Sequence, residues 1–133
     1  RFCKNFELLN DDTKKRLVVE NDDSPNEYSV KDLVNGVHLR IGIPITFDYF
    51  HHKFNTGGLT EEEALIVASA TWPEGVTQCC HYSESRQKEQ LDESIRPQAH
   101  SDLIYEKIQT YGLEPDIVIE AKLKEQAIFK RVI

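Results

Sequence analysis

Glu20, Asp48, His81 and Glu120 each close a short apolar run. The runs are Leu17-Val18-Val19, Ile43-Pro44-Ile45-Thr46-Phe47, Val76-Thr77-Gln78-Cys79-Cys80 and Ile117-Val118-Ile119. Carboxylate oxygens and imidazole nitrogens gathered in one place bind hard or borderline divalent cations such as Mn²⁺ or Zn²⁺. A single acid at a strand end more often caps the next helix or is solvated. At four strand ends that plain explanation must hold four times independently, and a shared metal site becomes the better account. His51, three residues past Asp48, and His100 extend the candidate set. The pattern indicates a metal site and leaves the reaction open.

The runs are short and nearly continuous, without clean alternation, which fits strands buried on both faces of a parallel sheet. Helical segments lie between them. Ser29-Val30-Lys31-Asp32 and Thr60-Glu61-Glu62-Glu63 both read as capping boxes. Leu33, Val37 and Ile41 follow the first at helical spacing, and residues 64–70 follow the second. The spacing of Ile104, Ile108 and Tyr111 predicts a further helix over 101–111, and a last helix is expected from about Leu123 to the end. Gly42 before Pro44 and Gly112 before Pro115 read as helix stops.

The resulting order, a helix end over about 1–15 and then four strand–helix units from about 16 to 133, predicts an α/β fold with right-handed crossovers. The candidate ligands recur roughly every 30 residues, the length of one unit of a (β/α)₈ barrel of about 250 residues. The chain therefore reads as one half-barrel domain, (β/α)₄. Parallel-sheet barrels carry their active sites at the carboxyl edge, where these four residues fall. A small open sheet of the flavodoxin type is the alternative, but no glycine-rich phosphate loop supports it.

Composition narrows the function. The 133 residues suit one domain, and 39% hydrophobic content builds a core. No apolar run approaches the roughly 20 residues of a membrane span and no signal peptide opens the chain, so no membrane partner is expected. Residue 1 is Arg and methionine is absent, which reads as an excerpt of a longer polypeptide. A net charge of -7 argues against a nucleic-acid binder with a broad basic surface. It does not exclude a nuclease whose carboxylates hold cations. Three cysteines, Cys3, Cys79 and Cys80, argue against a disulfide framework and for an intracellular setting, in bacterial cytoplasm and nucleoid or a eukaryotic nucleus.

The remaining candidates have plainer readings. His52, next to His51, points the other way in extended chain and is expected at the surface or behind the ligands. His38 falls within a helix, and His100 before one. Adjacent Cys79 and Cys80 in a buried strand are read as packing, and Trp72 as core. Arg86 and Arg96 are weak candidates for phosphate contact, because Glu84, Glu89, Asp92 and Glu93 are interleaved with them and Lys88 in what reads as a solvated loop.

The strings RLVVENDD (16–23), GIPITFDYFHH (42–52), CHYSESR (80–86), HSDLI (100–104) and DIVIEAKLKEQA (116–127) resemble, in order and spacing, the carboxy-terminal half of the UV damage endonuclease family. The resemblance implies a TIM barrel similar to endonuclease IV and the xylose isomerases. It also implies up to three divalent ions, manganese first, with zinc, cobalt or magnesium as alternatives. The implied reaction is metal-assisted hydrolysis of the phosphodiester just 5′ of a UV photoproduct in double-stranded DNA, leaving a 3′-hydroxyl. On that basis Glu20 is a bridging ligand, and Asp48, His81 and Glu120 are further ligands of the inner, catalytic metals. His51 and His100 are ligands of a third. The chain departs from the family pattern at Cys79, where the family usually has a lysine reported in some members as a modified metal ligand. The first four strands of the family's barrel, with the remaining ligands and the residues that probe the damage, have no counterpart here. The fragment is thus expected to be inactive alone, and to self-associate or pair with an amino-terminal half. A sugar isomerase or epimerase barrel and a non-catalytic half-barrel are the alternatives.

Overall fold

The structure, a computed structural model, describes residues 1–130. Two short helices, α1 (Phe2–Glu7) and α2 (Asp11–Arg16), precede the first strand where the sequence reads as the end of one helix. Asn10 divides them: its side chain accepts from Thr13 N at 2.8 Å and starts the second helix.

Four strands, β1 (Val19–Glu20), β2 (Ile45–Asp48), β3 (Cys79–Tyr82) and β4 (Asp116–Ile119), form one sheet in that order with every neighbouring pair parallel. Parallel neighbours require crossover connections. Between β1 and β2 run α3 (Val30–Leu33), a π-helical turn (Val34–His38) and α4 (Leu39–Ile41). Between β2 and β3 run α5 (Tyr49–Phe54) and α6 (Glu61–Ser69). The helix α7 (Arg86–Gln90) follows β3, and α8 (Glu125–Phe129) follows β4. This is an α/β architecture on a parallel sheet.

Local sequence signals explain most helix starts. Ser29 with Asp32, and Thr60 with Glu63, form both bonds of a capping box, satisfying amides that a helix start leaves free. Gly42 ends α4 at φ 72°, a conformation that disfavours any side chain. Gly57 has φ 59°, and a Cβ there would lie 2.5 Å from Ser29 Oγ, the cap of α3. Gly57→Ala is therefore expected to lower stability by about 1–3 kcal/mol, combining backbone strain with a displaced cap. A urea titration checks this as a lower midpoint at unchanged slope.

The core lies on one face of the sheet. Ile45, Phe47, Cys80 and Tyr82 pack against Val30, Leu33, Ala64, Leu65 and Ala68 of the helices. Burial on both faces, expected of all four strands, holds at β2 alone, where every residue is buried. Along β3 burial alternates, with Cys80 and Tyr82 inside and Cys79 and His81 half-buried. Along β4 the second face is open, and Val118 is 47% exposed.

Further expectations are corrected. No helix forms over 101–111, and of the expected face Ile104 is buried, Ile108 half-buried and Tyr111 exposed. The Glu89 carboxylate accepts from Asp102 N and Leu103 N, and the Glu84 carboxylate from Tyr105 N and Glu106 N. These side chains hold the segment's amides in a non-helical path. Gly112 accordingly sits in a turn, at φ 82°, and ends no helix. The stretch after His81 is only in part the expected solvated loop: Glu84 is buried and Arg86–Gln90 form α7, while most of residues 91–97 are exposed and outside any helix or strand. The last helix spans Glu125–Phe129 only, and residues 131–133 of the expected helix lie outside the described residues.

Candidate metal centre

Strand register brings the candidates onto one face. In a parallel pair, partnered residues point to the same side, and residues two apart along a strand share it. Glu20 is partnered with Thr46, Asp48 with His81, and His81 with Val118. Glu20, Asp48 and His81 therefore share the face opposite the helices, and Glu120 follows Val118 by two. One ligand atom each from Glu20, Asp48 and His81 lie within 4.8 Å of one another. His81 Nδ1 is 3.2 Å from Glu20 Oε1 and 3.7 Å from Glu120 Oε1. His51 Nδ1 is 3.5 Å from Glu20 Oε1 and 3.7 Å from Asp48 Oδ2.

Asp48 is the most constrained of these. It ends β2 and N-caps α5, and its Oδ1 accepts from Phe50 N and His51 N at 2.8 Å each. Its Oδ2 is buried and has no hydrogen-bond donor. Burial pushes the carboxyl up to about 6, with the nearby Glu20 carboxylate adding to the effect and the His51 amide and imidazole opposing it. A buried carboxylate oxygen without a donor is costly unless something positive meets it. A divalent cation held by Asp48, Glu20 and His81 would supply that charge, so the donor set and the orphaned oxygen fit a metal.

Asn21, which sequence reading passed over, organises the site. It is buried, with its Oδ1 accepting from Asp48 N at 2.8 Å and its Nδ2 donating to Asp48 O at 3.0 Å. Its own carbonyl accepts from His51 Nδ1 at 2.7 Å. A carbonyl only accepts, so Nδ1 carries the proton and, in the neutral ring, Nε2 keeps the lone pair, as in metal-ligating histidines oriented by a second partner. Burial works against the charged form of His51, yet Asp48, the Asn21 carbonyl and Glu20 together hold it above its usual value. The signal for Asn21 was its position directly after a strand-end acid; its side-chain pairing depends on β1 and β2 lying side by side.

The other candidates are placed differently. His100 lies outside the ligand-distance group; its ring meets Phe50 edge-on, 5.8 Å between centroids, and its backbone bridges Ser85. His52, expected at the surface or behind the ligands, is buried against Phe47 at 5.4 Å, on a different face of α5 from His51. Cys79 shares the face of His81 but falls outside the group, and burial, then Asp116 and Glu20, raises its thiol above the ordinary range. Cys80 is fully buried, and its thiol is pushed up to about 12 chiefly by burial. Trp72 is half-buried and donates to Ile45 O at 2.8 Å. Arg86 pairs with Asp102 at 3.2 Å, and Arg96 lies 3.8 Å from Asp23.

Fold and site together define a parallel α/β protein with a carboxylate–imidazole cluster, suited to a divalent cation, at its strand ends. The family model described as UV-endonuclease UvdE matches residues 1–132. The chain belongs to this family. A UV-damage endonuclease of Schizosaccharomyces pombe is 37% identical over 136 residues, covering 98% of this chain and 22% of the relative. UV DNA damage endonucleases of Clostridium perfringens and Bacillus pumilus are each 31% identical, over 97% and 99% of this chain and 31% and 42% of their own lengths. The solved structure of SacUVDE superposes with a TM-score of 0.77 at 32% identity, covering 95% of this chain and 41% of that one. The chain thus spans less than half the length of each of these relatives.

Proposed function

We propose that this chain is the carboxy-terminal part of a divalent-metal-dependent DNA repair endonuclease that cuts the phosphodiester 5′ to UV photoproducts. The observation that carries the reading is the convergence of Glu20, Asp48 and His81 around a buried, donorless Asp48 oxygen in a chain of the UvdE family. Glu20, Asp48, His81 and Glu120 are the residues we assign to the inner, catalytic ions, with Glu20 bridging. His51 offers Nε2 to the same cluster or to a third ion, with His100 as the more distant partner. Manganese is our first choice of metal, because the set is rich in carboxylate and has two or three imidazoles. Such an ion, when bound, would polarise the phosphoryl group and lower the pKa of water.

The chain's own residues prepare that chemistry. The first amides of α5 commit Asp48 Oδ1 while Asn21 holds the Asp48 backbone, so that Oδ2 is left to the site. Glu20, one-third exposed, reaches in from β1 between His51 and His81, where it would bridge. Arg86 and Arg96 are each held by a carboxylate, and a DNA phosphate would have to displace Asp102 or Asp23 to reach them.

Our reading also concerns what lies outside the chain. Among the described residues, β1 and β4 each have one strand neighbour and leave a backbone edge unpaired. Such edges recruit partners. We place the remaining strands of a barrel, and the rest of the metal site, in the longer protein that the relatives represent. No helix of the described residues is long and apolar enough to cross a membrane, and the three cysteines are free. Both observations sit comfortably with a DNA-repair role inside the cell.

The test is nicking of supercoiled plasmid, irradiated against unirradiated, by the longer parent protein with Mn²⁺ and an EDTA control. Damage-dependent, chelator-sensitive nicking is expected from the parent and none from the 133-residue chain alone. Equal cutting of both plasmids, or cutting that survives EDTA, would sink the reading.

A further inference from the structure

We propose that Glu84 is a positioning residue for His100, acting through the backbone of residues 99–106. The proposal rests on the reading of His100 as a ligand residue given above. Glu84 lies two residues beyond β3 and is 7% exposed. Its carboxylate accepts from Glu106 N at 2.8 Å, from Tyr105 N at 3.0 and 3.1 Å, and from Tyr82 OH at 3.1 Å. Its carbonyl accepts from Ser101 N at 2.8 Å, and Arg86 N donates to Ala99 O at 2.8 Å. His100 is therefore fastened on both sides to residues 84–86, which continue directly from the strand that carries His81.

Residues 101–106 have no helix or strand of their own to stiffen them. Lys122 N and Leu123 N donate to the carbonyls of Ser101 and Asp102, and the segment's own amides are met by two carboxylates. Glu84 binds the amides of 105 and 106, and Glu89 of α7 binds those of 102 and 103. Hydrogen bonds to an ionised acceptor are about twice as strong as neutral ones. A buried carboxylate is also a costly way to close a loop, since it must be desolvated. What it secures here is the segment on which His100 stands. On its other side, the His100 ring meets Phe50, whose amide is tied to Asp48 Oδ1. The Glu84 clamp and the Phe50 ring together set His100 relative to the cluster, although Glu84 is not among the cluster's residues.

The experiment follows the imidazole nitrogens of the 133-residue chain by NMR during titration with Zn²⁺, in wild type and in Glu84→Gln. The variant keeps the side chain's shape and removes the charged acceptor. Exchange of the Tyr105 and Glu106 amides is expected to accelerate about tenfold or more. The Zn²⁺ midpoint read at His100 is expected to rise about tenfold, the scale of outer-shell changes, while that read at His81 stays within about twofold. Should Glu84→Gln fail to fold, Tyr82→Phe removes one donor and is expected to shift the His100 midpoint about threefold. Faster amide exchange with an unchanged His100 response would overturn the proposal and leave Glu84 as a loop staple. If no wild-type histidine responds to Zn²⁺, it is the metal reading that fails, and the positioning role is then judged on metal-free His100. A sharp ring signal that broadens or splits in Glu84→Gln supports it, and an unchanged signal overturns it.

Discussion

Asp48→Asn is expected to make the metal-free chain more stable at pH 7 while lowering its affinity for a divalent cation by at least about a hundredfold, more than an outer-shell change removes. The two effects share one cause. Asp48 is fully buried, and its Oδ2 faces Glu20 with no donor of its own. The amide preserves the oxygen that accepts from Phe50 N and His51 N, so the start of α5 survives. It replaces the second oxygen with an NH₂ group that donates toward Glu20, turning a repulsion into a hydrogen bond and removing a buried charge. The same NH₂ cannot ligate a cation. Urea unfolding and calorimetric Mn²⁺ titration on the same two samples measure both signs. A variant less stable than wild type, or one that binds Mn²⁺ normally, would refute the assignment of Asp48 as the central ligand. In the longer parent the same substitution is expected to abolish damage-dependent nicking.

Stability of the metal-free chain is also expected to fall by about 2–3 kcal/mol between pH 4 and pH 7 through Asp48 alone. Its carboxyl is pushed up to about 6 by burial, so the folded state holds the proton more tightly than the unfolded chain does. The protonated form is favoured by folding, and the stability it contributes is present below the ordinary aspartate range and is lost as pH rises through about 6. His51, raised above its usual value despite the burial that opposes it, contributes in the same direction. Other carboxylates titrate over the same range, so the quantity to measure is the difference between wild type and Asp48→Asn, which should be nearly flat below pH 4 and widen above it. Divalent cation reverses the trend, because the ligand form is the ionised one. At a hundred times its dissociation constant Mn²⁺ adds about 2.7 kcal/mol, and adds it more readily at pH 7 than at pH 5. A wild-type curve parallel to that of Asp48→Asn, unaffected by Mn²⁺, would mean that the cluster is not a cation site.

The sequence by itself determined what is local. The Ser29 and Thr60 capping boxes and the Gly42 stop depend on residues three or four apart, and they form as written. The alternation of strands with helical segments required a parallel sheet, and the placement of an acid or histidine at each strand end set which residues were available to a site. Convergence is a different kind of fact. Glu20 and Asp48 meet because their strands are paired in one register and not another, and a slip of one residue would have turned either to the core face. The directions of His51 and His52 were likewise decided by α5, which presents one to Asn21 and buries the other against Phe47. Over 101–111 the helical period was present and the helix is not. Of the expected face only Ile104 is buried, with Ile108 half-buried and Tyr111 exposed, while carboxylates from Glu84 and Glu89, more than ten residues away in sequence, took the amides. Periodicity marks which side chains are available to go inward; which of them do, and which partners the backbone finds, is settled only when distant segments are brought together and every buried polar group must be met.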